Sequence, residues 1–285
     1  MSRTVYVNGE YLPEEDAKVS VFDRGFLFAD AVYEVTSILD GKILAFDGHA
    51  ARLKRSLDEL QMKNPISTED LLEVHRELVK RNDLAEGMIY LQISRGNPGD
   101  RDFAFPSEDV TPTIVLFTQT ANLLNSPKIA TGMKVISVDD QRWARRDIKT
   151  TQLLFPSMAK MMAKAAGVDD AWLVEDGHVT EGSSNNAYIV KDGRIITRHL
   201  GSEILHGITR AAVLAYAEAA QMQIEERPFT IEEAKTADEA FITSASTFVM
   251  PVVEVDGVML GDGKPGKSAA RLREIYLEES MKQAL

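Results

Sequence analysis

Short runs of alternating apolar and polar residues recur along this chain, each broken by an Asn-Gly or Asp-Gly pair. Residues 4–11 alternate around Asn8-Gly9, and residues 31–46 around Asp40-Gly41. Both read as hairpins, because a pair that tolerates positive φ closes a tight turn between strands. The same design is expected at Asp192-Gly193 and over 251–259 around Asp256-Gly257. Elsewhere the period becomes that of a helix. Ala51, Leu53, Leu57 and Leu60 make an apolar stripe over 48–61, with Asp47 as the expected cap. Further helices are expected over 68–81, 154–166, 208–221 and 268–282, and strands at 88–94, 113–118, 133–138, 171–175, 186–190 and 239–244. Residues 95–106 are rich in Gly, Pro, Asp and Arg and lie between two strands, a composition typical of loops that carry function.

Strands grouped in hairpins, with helices between the groups, imply an α+β fold of largely antiparallel sheets with flanking helices. The length of 285 residues exceeds one minimal core. The polar stretch 121–132 reads as a linker between a smaller α+β domain, 1–120, and a larger one, 133–285. A net charge of −12 argues against non-specific nucleic-acid binding and against an anionic membrane surface. With no cysteine there is neither a disulfide nor a thiolate metal site, and the scattered histidines predict no metal centre. No run approaches the roughly 18 apolar residues of a membrane span, and the start has no apolar signal core. A cytoplasmic protein is expected.

Four segments offer chemistry. Lys149 follows Arg145-Arg146-Asp147-Ile148, and the apolar neighbours Ile148 and Leu153-Leu154-Phe155 predict partial burial, which favours the nucleophilic amine. Glu181 stands in the hydroxyl- and amide-rich run Thr180-Glu181-Gly182-Ser183-Ser184-Asn185-Asn186, read as a turn. Gly207-Ile208-Thr209-Arg210 opens an alanine-rich helix whose first N–H groups can hold a phosphate. Thr243-Ser244-Ala245-Ser246-Thr247 is a second hydroxyl-rich turn that could complete such a cup. An amine for an aldehyde, a carboxylate for a pyridinium and donors for a phosphate are what a pyridoxal phosphate enzyme needs.

These segments, with the run from Asp23-Arg24-Gly25 to Tyr33-Glu34-Val35, resemble the fold-type IV pyridoxal 5′-phosphate (PLP) enzymes over nearly the whole chain, and most of all the D-amino-acid aminotransferases. The resemblance implies a two-domain PLP enzyme with Lys149 as the Schiff-base lysine, Arg52 on the phosphate and Glu181 on the pyridine nitrogen. It places Ser183, Ser184 and Asn186 along the cofactor face, and Ile208, Thr209 and Ser244 at the phosphate. Ala245 stands where the family often has a threonine, so weaker phosphate anchoring is implied. Tyr33 and Arg101 are implied to bind the substrate carboxylate. The family's arginine loop usually reads Arg-x-His; here it reads Arg101-Asp102-Phe103, and Phe103 cannot donate a hydrogen bond. The implied reaction is a ping-pong transamination from a D-amino acid such as D-alanine to a 2-oxo acid, 2-oxoglutarate or pyruvate, by a homodimer. The competing readings are a branched-chain L-amino-acid aminotransferase, an (R)-amine transaminase, an aminodeoxychorismate lyase and a non-catalytic binding protein.

Overall fold

A computed structural model describes residues 2–285 and divides the chain into two compact units. The first runs to Asn122 and also takes Ile148–Gln152 and Gln283–Leu285; the second comprises Leu123–Asp147 and Leu153–Lys282. Of the expected linker, residues 121 and 122 go with the first unit and 123–132 with the second. Arg273 donates to the Leu123 carbonyl at 2.9 Å, Lys128 pairs with Asp169, and a short helix forms at Lys128–Thr131.

The first unit contains β1 (Thr4–Val7), β2 (Glu10–Pro13), α1 (Arg24–Phe28), β3 (Ala31–Leu39), β4 (Lys42–Ile43), α2 (Phe46–Glu59), α3 (Thr68–Arg81), β5 (Glu86–Ser94) and β6 (Thr113–Thr120). Its sheet, in the order β2-β1-β6-β5-β3-β4, is antiparallel throughout. Asn8 and Gly9, and Asp40 and Gly41, all take positive φ at the turns, as the hairpin reading requires. Alternation assigns the two faces. In β3, Val32, Glu34, Thr36 and Ile38 are buried, while Tyr33 and Val35 are only partly covered. Helix α2 packs on β3, and α3 on β1 and β6. Leu53, Leu57 and Leu78 are buried in this unit, each contributing about 1.5–3 kcal/mol. Asp47 does not cap α2. The N-cap is Ala45 at φ 52°, without a side-chain bond, and Asp47 falls inside the first turn, where its charge suits the helix dipole. Helix α3 is capped by Ser67, whose hydroxyl accepts from the Asp70 amide.

The second unit contains α4 (Lys128–Thr131), β7 (Met133–Asp139), α5 (Leu154–Ala165), β8 (Asp170–Glu175), β9 (His178–Gly182), β10 (Asn186–Lys191), β11 (Arg194–Thr197), α6 (Ile208–Ala219), β12 (Gln223–Glu226), α7 (Ile231–Lys235), β13 (Glu239–Ser244), β14 (Phe248–Val255), β15 (Val258–Met259) and α8 (Lys267–Lys282). The sheet order is β12-β11-β10-β13-β14-β7-β8-β9, with β15 on β14. This sheet is mixed, because β12 joins β11 in parallel and β7 runs parallel to both β14 and β8. Trp172, Val179, Ile189, Ile242 and Val252 share one core cluster with Phe229; Ala159 and Ala163 of α5 close on Ala171 and Leu173 in another. Strand β9 gives one correction: Thr180, Glu181 and Gly182 lie on a strand, and only the residues after them turn. Leu153 and Leu154 are 37% and 77% exposed, and Lys149 is half-buried.

Candidate functional site

In the first unit, the returning segment Ile148–Gln152 is stitched to the start of β3. The Tyr33 amide donates to the Lys149 carbonyl at 2.9 Å, the Thr151 amide to the Ala31 carbonyl at 3.0 Å, and Val32 pairs with Thr150 in an isolated bridge. The Lys149 amide meets the Ser56 hydroxyl of α2 at 3.4 Å. These backbone ties fix where the side chain starts. Its Nζ lies 4.2 Å from the centre of the Tyr33 ring, an attractive position for an ammonium over an aromatic face. Tyr33 in turn stacks on Tyr90 at 5.6 Å, and Tyr90 on Phe117 at 5.0 Å, a cross-strand ladder over β3, β5 and β6. Burial, then the neighbouring Tyr33, pushes the Tyr90 hydroxyl up to about 12, so it stays protonated and donates to Gln92.

The next residue along β3 points the other way. Glu34 is buried and grips Arg52 bidentately, Oε1 to Nε at 2.8 Å and Oε2 to Nη2 at 2.6 Å, and also accepts from His49 Nδ1 at 2.7 Å. Burial alone would raise the Glu34 carboxyl, but Arg52 and His49 outweigh it and hold it at about 2. Burial pushes His49 below its ordinary value, against the pull of Glu34. Arg52 is thereby fixed in direction by a carboxylate.

In the second unit, Glu181 on β9 is buried and surrounded by donors. Arg142 Nη1 reaches its Oε1 at 2.6 Å; Asn186 Nδ2 and the Leu205 amide reach Oε2 at 3.0 and 3.1 Å. Arg142 also forms a fork with Asp140, at 3.0 and 2.7 Å, and Asp140 accepts from Thr180 at 2.8 Å. Burial pushes the Glu181 carboxyl up and Arg142 opposes it. All three partners are donors, so the cage is built for the anion. Asn186 is therefore held on Glu181. Gly207 explains its close fit: a Cβ there would come within 2.1 Å of Asn186 Oδ1.

The turn after β9 hangs on Asp170, which accepts from Ser183 Oγ at 2.5 Å and Asn185 Nδ2 at 2.7 Å and pairs with Lys160 at 2.9 Å. The Ser183 hydroxyl is thus committed to the scaffold, while Ser184 is exposed. Helix α6 begins at Ile208 with Gly207 as N-cap and no side-chain cap bond; Thr209 is buried behind it. Ser244 Oγ accepts from the Thr247 amide at 3.1 Å, closing its turn locally around the half-buried Ala245. In the loop 95–106, Arg101 and Phe103 are both exposed, with Arg101 against the rings of Phe28 and Phe103.

Sequence reading missed Glu34, His49, Asp140, Arg142 and Asp170. Glu34 had a signal, a lone charge inside the apolar strand Val32-Tyr33-Glu34-Val35. His49 and Arg52 had one too, since two polar residues three apart share the face of α2 that carries Leu53. Arg142 is one of three arginines shortly before Lys149 and had nothing local to single it out.

The comparisons with known proteins establish the family. The chain belongs to the amino-transferase class IV family, which it matches over residues 31–255, and it is a fold-type IV aminotransferase as its motifs implied. It is 38% identical over 270 residues to D-alanine aminotransferase from Staphylococcus haemolyticus, 95% of each chain being covered. To D-alanine aminotransferase from Listeria monocytogenes serotype 4b (strain F2365) it is 34% identical, over 96% of this chain and 95% of that one. Among solved structures it superposes on the T.th. branched-chain amino acid aminotransferase with pyridoxamine 5′-phosphate at a TM-score of 0.89, with 28% identity, covering 99% of this chain and 95% of the other.

Proposed function

We propose that this aminotransferase moves the amino group of D-amino acids to 2-oxo acids, with pyridoxal 5′-phosphate as its cofactor. The observation that carries the cofactor reading is the donor cage around buried Glu181. A carboxylate kept anionic in this way suits a protonated ring nitrogen. The uncapped N-terminus of α6, with Thr209 behind it, suits a phosphate. Arg52, aligned by Glu34, is a second phosphate ligand in this reading, and the turn at Ser244 and Ala245 a third. PLP, when bound, supplies an aldehyde for a primary amine and a ring that takes up electron density.

The chain's own groups do the rest. Lys149 would hold the aldehyde until the substrate amine displaces it, and its freed amine would then move the proton at the substrate Cα. Tyr33 and Arg101 hold the substrate carboxylate, Arg101 by its paired N–H donors. Asn186 and Arg142 keep Glu181 ionised and oriented. Ser184 borders the cofactor, while Ser183 braces the turn. The D-preference rests on the relatives named D-alanine aminotransferase. A homodimer working in the cytoplasm completes the proposal; no helix among the described residues is long and apolar enough to cross a membrane. The test offers D-alanine and L-leucine separately with 2-oxoglutarate. Turnover of D-alanine is expected, and turnover of L-leucine alone would overturn the D-specific reading.

A further inference from the structure

Phe103 combines a pinned backbone with an exposed side chain. Arg24, 3% exposed, donates from Nη1 to the Asp102 carbonyl at 2.6 Å and to the Ala104 carbonyl at 3.2 Å, the two carbonyls that bracket Phe103. Arg24 and Arg95 share Asp30 at 2.7 and 2.8 Å, and Arg95 also donates to the carbonyls of Leu60 and Gln61. The base of the loop is therefore locked by two buried guanidinium groups. Yet the Phe103 ring is 75% exposed. Its neighbours are Phe28, with ring centres 5.4 Å apart and planes inclined at 58°, and Arg101, whose guanidinium carbon lies 4.6 Å from the Phe103 centre and 4.7 Å from that of Phe28. The guanidinium rests in the notch between two tilted rings. Among the described residues, Arg101 has no hydrogen bond or ion pair; Asp102 next to it turns Oδ1 onto the Ala104 amide at 3.1 Å.

We propose that Phe28 and Phe103 are positioning residues for Arg101: they hold its guanidinium by its π-faces and leave its N–H edges for the substrate carboxylate. The inference rests on Arg101 being the carboxylate ligand. A ring attracts a guanidinium without consuming a donor, whereas an acidic partner would occupy the very N–H groups the substrate needs. The chain thus presets the side chain by stacking, where a histidine would add a donor of its own, and less rotamer freedom is lost when the carboxylate arrives.

The test uses holoenzyme of the wild type and of Phe103→Leu, Phe103→Tyr, Phe28→Leu and Arg101→Ala. Two quantities are read: KM and kcat for D-alanine, and the inhibition constant of propionate, which has the carboxylate but no amine. Losing one ring should raise KM and the propionate constant roughly three- to tenfold, with kcat within about twofold. Phe103→Tyr, which keeps an aromatic face, should restore both constants, and the unfolding midpoint of Phe103→Leu should match that of the wild type because this ring stands at the surface. Should Phe103→Leu and Phe28→Leu leave the constants unchanged while Arg101→Ala raises them, the positioning role is refuted and the carboxylate role stands. Equal damage from Leu and Tyr at 103, or a fall in kcat alone, also refutes it. Unchanged constants in Arg101→Ala would overturn the carboxylate assignment itself, and the stacking role with it.

Discussion

Arg142→Gln removes the one cation that, among the described residues, pairs with Glu181. In the wild type Arg142 holds two carboxylates at once, Glu181 at 2.6 Å and Asp140 at 2.7 Å, with the Asp140 side chain fully buried and that of Glu181 5% exposed. After the substitution Asp140 retains Arg146 at 3.6 Å, and Glu181 keeps only the Asn186 amide and the Leu205 N–H. Removing one member of a buried ion pair costs about 3–5 kcal/mol. On Glu181 that loss favours the protonated form and pushes the carboxyl further up. Burial already pushes this carboxyl up, so the variant favours its neutral form further, a form poorly suited to a protonated ring nitrogen. A raised acid is ionised only above its new value. The acid limb of the rate–pH profile for D-alanine with 2-oxoglutarate therefore moves to higher pH, and activity at neutral pH drops by at least about tenfold. The stability deficit against wild type grows as pH rises through the interval between the wild-type carboxyl and the further raised one of the variant. Arg142→Lys, which keeps the charge and loses the fork, should fall between the two. A variant that is folded, with an acid limb superimposable on that of the wild type, would refute the claim that Arg142 sets the charge of Glu181.

Other consequences are equally concrete. His75 is buried in α3, with Nδ1 donating to the Leu71 carbonyl at 2.8 Å, and burial holds it down at about 4. Its folded value lies below the free one, so the stability it contributes is present above about 6.5 and is lost as pH falls toward 4; the cost between pH 7.5 and 5 is about 2 kcal/mol. Urea midpoints at the two pH values should show that loss in the wild type and a much smaller one in His75→Gln; parallel slopes would argue against it. Gly207→Ala puts a Cβ on Asn186 Oδ1, so Asn186 must leave Glu181. Losing a hydrogen bond to a charged group costs about 1.5–3 kcal/mol, to be read as a lower melting temperature and weaker PLP binding by titration; an unchanged holoenzyme would show that the contact relaxes freely.

The fold was legible wherever the local signal was strong. Asn8-Gly9 and Asp40-Gly41 announce their hairpins because positive φ is required there, and Thr68–Arg81 has both a serine cap and an unbroken apolar stripe. Strands β9 and β12 were not legible. The first has Val179 as its single apolar residue between His178 and Thr180-Glu181, and the second is an edge strand whose only large apolar residue is Ile224, the kind of sequence that protects an edge from pairing. Short helices such as α1 and α7 have too few turns to show a period. Motifs single out Lys149, Glu181 and Thr209 as candidates, but nothing local points to the groups that hold the candidate site together. Arg142 precedes Glu181 by 39 residues, and Asp170 precedes Ser183 by 13. Only tertiary packing joins them. The same holds for Arg24 and Asp102, 78 residues apart, which together determine where Phe103 stands.

The most direct measurement bears on Lys149 itself. Holoenzyme reduced with borohydride, digested and mapped by mass spectrometry should carry the phosphopyridoxyl group on the peptide containing Lys149 and on no other lysine, and Lys149→Ala should yield no labelled peptide and no turnover. A label on a different lysine, or a Lys149→Ala enzyme that still transaminates at the wild-type rate, would contradict the account at its root.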